Sequence, residues 1–222
     1  MFFREAWEEW SAAWGTEAVE AAGAHAAMLF KPDGVAARMI DPAIEFLAEH
    51  GFTPAAAIAV DLDRGTTRWL WLYRFNVASV DRVRLHDLVN TAGPGLLLVL
   101  RDRHRGPGDI PATVRLTDLK GPSRPERRRP DQLRSRLGVS DRLINFVHTS
   151  DEPADLLREL AILVAPAARP ALFAALAAGD PGAWSATRRQ VEDALPPHSF
   201  DGDAAAGRIR AQAEAALAAG PA

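Results

Sequence analysis

The sequence predicts an α+β fold, in which a βαββαβ antiparallel sheet packs against helices on one face and further helices are added at both ends. Two observations lead to this prediction. In the middle of the chain, short apolar runs of strand length alternate with segments whose apolar residues recur every three or four positions. The two ends show only the helical period. We therefore expect an N-terminal helical extension over 1–24, a sheet-containing domain over 25–166 and an alanine-rich helical extension over 167–222.

The N-terminal extension is predicted to be helical because four aromatic side chains share one helical face, namely Phe3, Trp7, Trp10 and Trp14. We interpret this stripe as a packing surface against the rest of the chain or against a second subunit. The C-terminal extension is interrupted at Gly179-Asp180-Pro181 and at Pro196-Pro197, and it is predicted to end in a helix over 204–218.

Between the extensions, the predicted order is strand, helix, strand, strand, helix, strand, loop, strand and helix. The respective ranges are 25–30, 36–50, 54–62, 67–75, 79–90, 95–100, 101–136, 143–147 and 155–164. The run 67–75 is predicted as a strand with one buried face because large apolar residues alternate with others. The segment 101–136 is predicted to form long loops because it contains five prolines. Its crowded arginines are either solvated or able to close over phosphates.

The composition excludes several classes of protein. The chain of 222 residues contains no cysteine, which rules out disulfides, thiolate metal sites and a cysteine nucleophile. The N-terminus lacks a basic segment followed by a long apolar one, and no apolar run is long enough to cross a bilayer. A net charge of −3 does not suggest nucleic-acid binding. We expect a cytoplasmic protein that has no membrane partner and no specific nucleic-acid partner.

Two stretches carry the candidate chemistry. Lys31-Pro32-Asp33-Gly34-Val35 follows the first predicted strand and has the character of a phosphate site, and Asn145–Asp151 contains His148 followed by two hydroxyl side chains. A neutral imidazole is a competent nucleophile near neutral pH, since histidine titrates around pKa ~6.5. Taken alone, however, a histidine here is more often a polar loop residue, and a lysine at a strand end is more often an ordinary surface charge.

These stretches and a third one resemble the nucleoside diphosphate kinase family. The family's first strand and following turn are similar to residues 27–35, its helix–turn–strand segment to 88–100, and its active-site signature to 145–151. The three blocks fall in the family's order and cover about residues 25–165. The resemblance implies a ferredoxin-like βαββαβ sandwich and a homo-oligomer.

The resemblance also implies roles for individual residues. His148 matches the family's phosphate-accepting histidine, Lys31 the lysine that holds the transferring phosphate, and Glu159 the glutamate that orients the histidine ring. Nucleotide-binding roles are implied for Tyr73, Arg115, Arg134, Asn145 and Ser150. ATP or GTP would be the phosphate donor, and Mg²⁺ would bridge the donor phosphates rather than occupy an all-protein site.

The chain departs from the family pattern in four places. Thr149 replaces a glycine, and Glu152-Pro153 replaces a small, flexible continuation. Lys120-Gly121-Pro122 stands where a threonine usually contacts phosphate, and residues 80–83 lack the aromatic side chain that stacks on the base. Two hypotheses therefore stay open. One is a phosphotransferase that works through phospho-His148, with a nucleoside diphosphate or a more specialised phosphorylated metabolite as acceptor. The other is a catalytically inactive nucleotide-binding or protein-interaction module on the same fold.

Overall fold

The computed structural model describes residues 1–180, 182, 184–201, 210, 211 and 214. Its sheet consists of four strands, β1 (His25–Phe30), β2 (Phe52–Asp61), β3 (Pro94–Asp102) and β4 (Val147–Thr149). They lie in the order β2-β3-β1-β4, and each neighbouring pair is antiparallel. With helices between β1 and β2 and between β3 and β4, this order confirms the predicted α+β, ferredoxin-like fold.

The helices of the described residues are α1 (Phe2–Trp14), α2 (Ala18–Ala24), α3 (Pro32–Ala36), α4 (Ile40–Glu49), α5 (Arg64–Leu70), α6 (Leu72–Phe75), α7 (Val80–Asn90), α8 (Ala112–Lys120), α9 (Leu133–Arg136), α10 (Pro153–Leu163), α11 (Arg169–Ala177) and α12 (Trp184–Asp193). Within the described part of the chain, no helix has both the length and the apolar character that crossing a bilayer requires. Apart from 210, 211 and 214, the helix predicted over 204–218 lies outside the described residues.

Helices cover both faces of the sheet, rather than the single face that we predicted. Helices α3, α4, α8 and α9 share one apolar core with the sheet, and α1, α2, α10 and α11 share a second core with the opposite face. The strand β1 shows why two layers are needed, because all six of its residues are buried. A strand that is apolar on both sides requires cover on both sides.

The N-terminal helix is part of the second core. Trp10 is fully buried, and its Nε1 donates a hydrogen bond of 2.9 Å to the Ala18 carbonyl. Buried Arg169, at the start of α11, connects α1 to α10. Its Nε lies 2.9 Å from an oxygen of Glu9, and its Nη1 donates to the Ala161 carbonyl at 3.1 Å. The aromatic stripe therefore packs against the chain's own body, although Phe3 at its start is 39% exposed.

The predicted strand over 67–75 is wrong, because this segment forms α5 and α6. The side chain of Asp63 accepts a hydrogen bond of 2.6 Å from the Thr66 N–H and so caps the start of α5. In the resulting helices Trp71 is buried and Tyr73 is exposed. The alternation of large and small side chains was therefore not a sign of an extended backbone.

The segment 101–136 also differs from the prediction of long loops, because it contains α8 and α9. Its prolines flank α8 rather than interrupt it, since Pro111 precedes the helix and Pro122 follows it. The last strand begins four residues later than predicted, at Val147. Asp141 causes this shift, since its side chain accepts the N–H groups of Leu143 and Ile144 and holds that segment in a turn.

Two predicted helices differ in detail. The helix predicted over 36–50 begins later, as α4 at Ile40, because the backbone at Arg38 has φ of 59° and separates α4 from α3, which ends at Ala36. The helix predicted over 79–90 forms as α7, and the Ser79 side chain caps its start. Three of the apolar side chains on α7 are exposed, however: Val80, Leu85 and Leu88.

Candidate active site

A cavity of about 920 Å³ opens beside β4, at the edge of the sheet. Its walls come from the end of β1, from the α6–α7 region, from α8 and the loop that follows it, and from the segment 142–151. These parts of the chain are far apart in sequence. They include both of the stretches that carry the candidate chemistry.

The strand β4 positions His148 at this cavity. His148 pairs with Leu29 of β1, and successive residues of a strand face opposite sides of the sheet. His148 therefore faces α10, where its Nε2 lies 3.0 Å from each carboxylate oxygen of Glu159. The edge of its ring meets Trp71, with 5.4 Å between ring centroids. Because Nε2 is engaged, Nδ1 is the ring nitrogen that remains for a reaction.

Glu159 is buried on α10 and serves as the anionic partner of this histidine. Its second hydrogen bond comes from Ser150 Oγ, at 2.7 Å. Burial acts to raise the pKa of Glu159, but the attraction of His148 and the hydrogen bonds from His148 and Ser150 outweigh it and lower that pKa overall. An ionised Glu159 accepts the Nε2–H and so favours the tautomer whose Nδ1 carries a lone pair.

Lys31 lies at the end of β1 and joins the two stretches. Its Nζ donates to the Leu143 carbonyl at 3.0 Å and lies 3.3 Å from Asp33 Oδ2. Asp33 in turn accepts the Phe146 N–H at 3.1 Å, and the Lys31 N–H donates to the Phe146 carbonyl at 2.9 Å. Burial lowers the pKa of Lys31, and the neighbouring Asp33 carboxylate partly offsets this shift.

Gly34 allows this close approach of the two stretches. A Cβ atom at this position would lie 2.6 Å from the Phe146 carbonyl oxygen. We expect Gly34→Ala to lower the free energy of unfolding by about 1–3 kcal/mol, because the backbone around Phe146 must move. Urea denaturation would measure this. Gly65→Ala is the matched control, since Gly65 is exposed and a Cβ atom there meets only the Asp63 side chain. Equal stability of the two variants would contradict the tight contact.

Arg134 on α9 is buried beneath the same cavity. Its two terminal nitrogens donate to backbone carbonyls, those of Gly121 at 2.8 Å and Val147 at 2.6 Å. Burial, together with repulsion from Arg128 and Arg74, lowers the pKa of Arg134 to about 9. The guanidinium therefore stays charged at neutral pH. Asn145 also lines the cavity, and its side chain donates to the Arg142 carbonyl at 2.9 Å.

Arg115, which the resemblance assigned to phosphate binding, does not reach the cavity. On α8 the residues Val114, Thr117 and Asp118 face the cavity, and the helical period turns Arg115 away from it. Its guanidinium pairs with Asp102 and lies over the Phe52 ring, 4.9 Å from the centroid. These contacts hold Arg115 outside the cavity, and its phosphate-binding role stays a prediction.

Tyr73 is likewise not brought to the cavity. It is 72% exposed and lies under the guanidinium of Arg158, at 5.6 Å. Because this segment is helical, Trp71, Arg74 and Phe75 occupy the side that faces the cavity. The resemblance assigned nucleotide binding to Tyr73 from its position in the sequence, and the structure brings its neighbours to the cavity instead.

His86 was missed by the sequence analysis, which assigned it no role. It lines the cavity between the rings of Trp71 and Phe75, and its Nδ1 accepts a hydrogen bond of 2.8 Å from Asn90. Burial, with a smaller contribution from the charge of Lys31, lowers the pKa of His86 to about 4. The ring is therefore neutral at neutral pH. The one available sequence signal was the spacing of four between His86 and Asn90 on a helix.

The cavity is strongly cationic. Eight lysine or arginine side chains line it, against the two carboxylates of Asp118 and Asp151. Within the described part of the chain, five of these arginines form no ion pair with an acidic side chain: Arg74, Arg82, Arg127, Arg134 and Arg142. Such a surplus of positive charge suits a ligand with several negative charges.

Two carboxylates at the cavity, those of Asp118 and Asp151, are the oxygen ligands available to Mg²⁺. Among the described residues, no group of three or more histidine, aspartate or glutamate side chains is arranged to hold a metal ion. Asp118 is engaged by both terminal nitrogens of Arg129, whereas Asp151 is 56% exposed and lies 4.0 Å from its nearest cation, Lys120. One carboxylate together with the phosphates of a ligand is a common setting for Mg²⁺. Asp151 fits that setting.

Comparisons with known proteins concern the family and the fold of this chain. The family model described as nucleoside diphosphate kinase matches residues 24–168, well over half of the chain. A search of the curated proteins gave no match.

Several solved structures share the fold. The apo nucleoside diphosphate kinase of Encephalitozoon cuniculi has a TM-score of 0.52 and 18% identity, over 64% of this chain and 88% of that one. The Aquifex aeolicus enzyme has a TM-score of 0.50 and 19% identity, over 63% and 93%. The Borrelia burgdorferi enzyme, a transition-state mimic with vanadate and ADP, has a TM-score of 0.51 and 20% identity, over 62% and 84%. At such identities the similarity concerns the fold alone.

Proposed function

The chain belongs to the nucleoside diphosphate kinase family, and we propose that it transfers the terminal phosphate of a nucleoside triphosphate to a diphosphate acceptor through a phosphohistidine at His148. The observation that carries this proposal is the pair of His148 and buried Glu159 at a cationic cavity. A histidine held by a carboxylate through one ring nitrogen has its other nitrogen free for nucleophilic attack.

In the first step, the lone pair of His148 Nδ1 attacks the terminal phosphorus of the donor. The bond from that phosphorus to the bridging oxygen breaks, and its electron pair leaves with the diphosphate. The ring gains positive charge as the nitrogen–phosphorus bond forms. Glu159 offsets this charge, because its carboxylate oxygens lie 3.0 Å from Nε2 and accept its N–H.

In the second step, a terminal oxygen of the acceptor diphosphate attacks the phosphorus of phospho-His148. The nitrogen–phosphorus bond breaks, and its electron pair returns to Nδ1. Lys31 and Arg134 supply positive charge near the phosphate oxygens, and Asn145 supplies an amide that can bind a ligand hydroxyl. Mg²⁺, when bound with the donor, neutralises phosphate charge, and Asp151 is the carboxylate that would help to hold it.

A phosphoenzyme assay tests the proposal. The protein is mixed with ATP labelled at the γ-phosphate and with Mg²⁺, and the product is tested for label that is lost in acid and kept in alkali. We expect such label to form and to be removed by a diphosphate acceptor. A folded protein that binds ATP without becoming labelled would instead be a nucleotide-binding module.

Glu159→Gln tests the role of the buried carboxylate. Glutamine keeps a carbonyl acceptor for the Nε2–H but removes the negative charge, so we expect phosphoenzyme formation to slow by about 10²-fold with little change in ATP affinity. Rapid-quench single-turnover kinetics would measure both quantities. Glu152→Gln is the matched control, because Glu152 is exposed at the start of the same helix. If Glu159→Gln forms phosphoenzyme at a rate within threefold of wild type, the negative charge of Glu159 has no role in the mechanism.

The wall of the cavity supports an acceptor with a second anionic group, away from its diphosphate. The five cavity arginines without an ion pair suit phosphate or carboxylate, and residues 80–83 supply no aromatic ring for a base. We expect adenosine 3′-phosphate 5′-diphosphate to show a KM about tenfold below that of ADP. Arg82→Gln should narrow this difference, whereas Arg136→Gln, an exposed site outside the cavity, should not. Equal KM values in wild type would indicate an ordinary nucleoside diphosphate.

A further inference from the structure

Lys120 is a second buried ammonium at the active site. It is the last residue of α8, its side chain is 8% exposed, and it lines the same cavity as His148. Within the described residues its Nζ donates one hydrogen bond, to Thr149 Oγ1, and the nearest carboxylate oxygen is that of Asp151 at 4.0 Å. An ammonium has three N–H donors. Two of them therefore have no hydrogen-bond acceptor among the described residues.

The use of lysine in this chain is selective. Of the 26 basic residues, Lys31 and Lys120 are the only lysines, and both are buried at this one cavity. Arginine supplies the basic side chains everywhere else in the chain. A lysine presents a compact charge with rotatable donors, and burial shifts its pKa readily. The two lysines are thus concentrated at the one place where a compact phosphate ligand would be bound.

The surroundings of Lys120 do not compensate its charge. Arg134 from α9 and Arg74 from α6 repel it, whereas Asp151 after β4 and Glu159 from α10 attract it. Burial is the main cause that lowers the pKa of Lys120 to about 7, and Arg134 adds to that shift. An ammonium in this position is unfavourable without an anion beside it.

We propose that Lys120 is a phosphate-binding residue of the active site and contacts the terminal phosphate of a nucleoside diphosphate bound beside His148. Lys120 and His148 line the same cavity, and the hydrogen bond from Lys120 ends on Thr149, the residue that follows His148 on β4. This inference rests on the proposed function for the identity of the phosphate group. It does not require that transfer occurs for a diphosphate to bind.

Thr149 is the positioning residue of this site. Its Oγ1 accepts the bond from Lys120 and lies 3.0 Å from Thr117 Oγ1, which also donates to the Ser150 carbonyl at 3.2 Å. A glycine at position 149 would supply no side-chain acceptor. The two departures from the family pattern, at Lys120 and Thr149, are therefore parts of one arrangement.

The two lysines allow a direct test by NMR. Lysine labelled with ¹³C at Cε gives two side-chain signals, and the one that disappears in Lys120→Met belongs to Lys120. In the free protein we expect this signal to titrate near pH 7. Saturating ADP should move its midpoint upward by two or more pH units, because a bound phosphate stabilises the ammonium. A midpoint unchanged by bound ADP would overturn the proposal.

Binding measurements on variants provide the second readout. We expect Lys120→Met to weaken ADP binding by about tenfold or more and Lys120→Arg to restore most of the affinity, since arginine keeps the charge. Thr149→Ala should give an intermediate loss. Unchanged affinity in Lys120→Met would also overturn the proposal. Thermal melting of each variant confirms that it is folded.

The outcomes separate this inference from the proposed function. If no phosphoenzyme forms but ADP shifts the Lys120 signal, the proposed kinase function is wrong and the phosphate site at Lys120 is supported. If Lys120→Met forms phosphoenzyme at the normal rate and binds ADP with normal affinity, the phosphate site at Lys120 is wrong and the proposed kinase function is supported.

Discussion

His148→Ala should lose the acid-labile label completely and lower kcat for phosphate transfer by about 10⁴-fold or more. The reason is that the covalent intermediate forms on the ring of this residue in the proposed mechanism. Glu159, Lys31 and Arg134 would remain, but they would have no nucleophile to assist. A gel-based assay of labelled protein and steady-state kinetics with ATP and a diphosphate acceptor measure the two effects.

The loss must be separated from a loss of binding. The side chain of His148 is 16% exposed at the cavity, so removing it should leave ADP binding largely intact. Calorimetric titration with ADP checks this. His104→Ala is a suitable control, because His104 is exposed and does not line the cavity.

One outcome of the His148→Ala experiment would assign the nucleophile to another histidine. His86 also lines the cavity, and its neutral ring contacts Trp71, as the ring of His148 does. If labelled protein persists in His148→Ala and peptide mapping finds the phosphate on His86, then His86 is the nucleophile. Label that persists on neither histidine would exclude a phosphohistidine at this cavity.

The sequence was sufficient for those parts of the fold and the site that depend on short, continuous segments. The apolar runs over 25–30 and 95–100 form the central strands β1 and β3, because a buried strand needs little beyond apolar residues of strand length. The stretches around Lys31 and His148 are also continuous. Each one follows or forms a strand end, so its residues reach the cavity together.

For a residue on a helix, the sequence did not predict whether its side chain faces the cavity. Arg115 and Tyr73 were chosen by sequence position, and each turned out to point away from the cavity. Val114 and Trp71, one and two positions away, line it instead. A shift of one residue on a helix changes direction by about 100°. Family resemblance therefore identifies a segment better than it identifies a side chain.

The contributions of Lys120 and His86 depend on contacts between elements. Lys120 meets Thr149 across 29 residues of chain, and His86 reaches the cavity because α7 packs beside Trp71. Neither contact has a local sequence pattern. The departures at positions 120 and 149 were visible in the sequence, but their connection required the packing of α8 against β4.

Trp10→Ala should lower the free energy of unfolding by about 3–5 kcal/mol. Trp10 is fully buried, and its ring meets those of Phe173 of α11 and Trp14 at centroid distances of 5.2 and 5.4 Å. Alanine removes these contacts and also leaves the Ala18 carbonyl without the indole N–H. Urea denaturation followed by intrinsic fluorescence and by circular dichroism measures the change.

Phe3→Ala is the matched control on the same helix. Phe3 is 39% exposed, and we expect a loss of about 1 kcal/mol or less there. A separable appendage would give a different result, in which Trp10→Ala adds an early transition for α1 and leaves the main transition unchanged. A single transition that shifts as a whole would show that α1 folds with the sheet.

This distinction bears on the site as well as on stability. Helix α1 packs against α10, and α10 carries Glu159. If the two form one cooperative unit, loosening α1 should also slow phosphoenzyme formation, although Trp10 touches no part of the cavity. The N-terminal helix would then support the orientation of His148 from the face of the sheet that the βαββαβ core itself leaves open. A stability loss without any change in the rate would limit its role to folding.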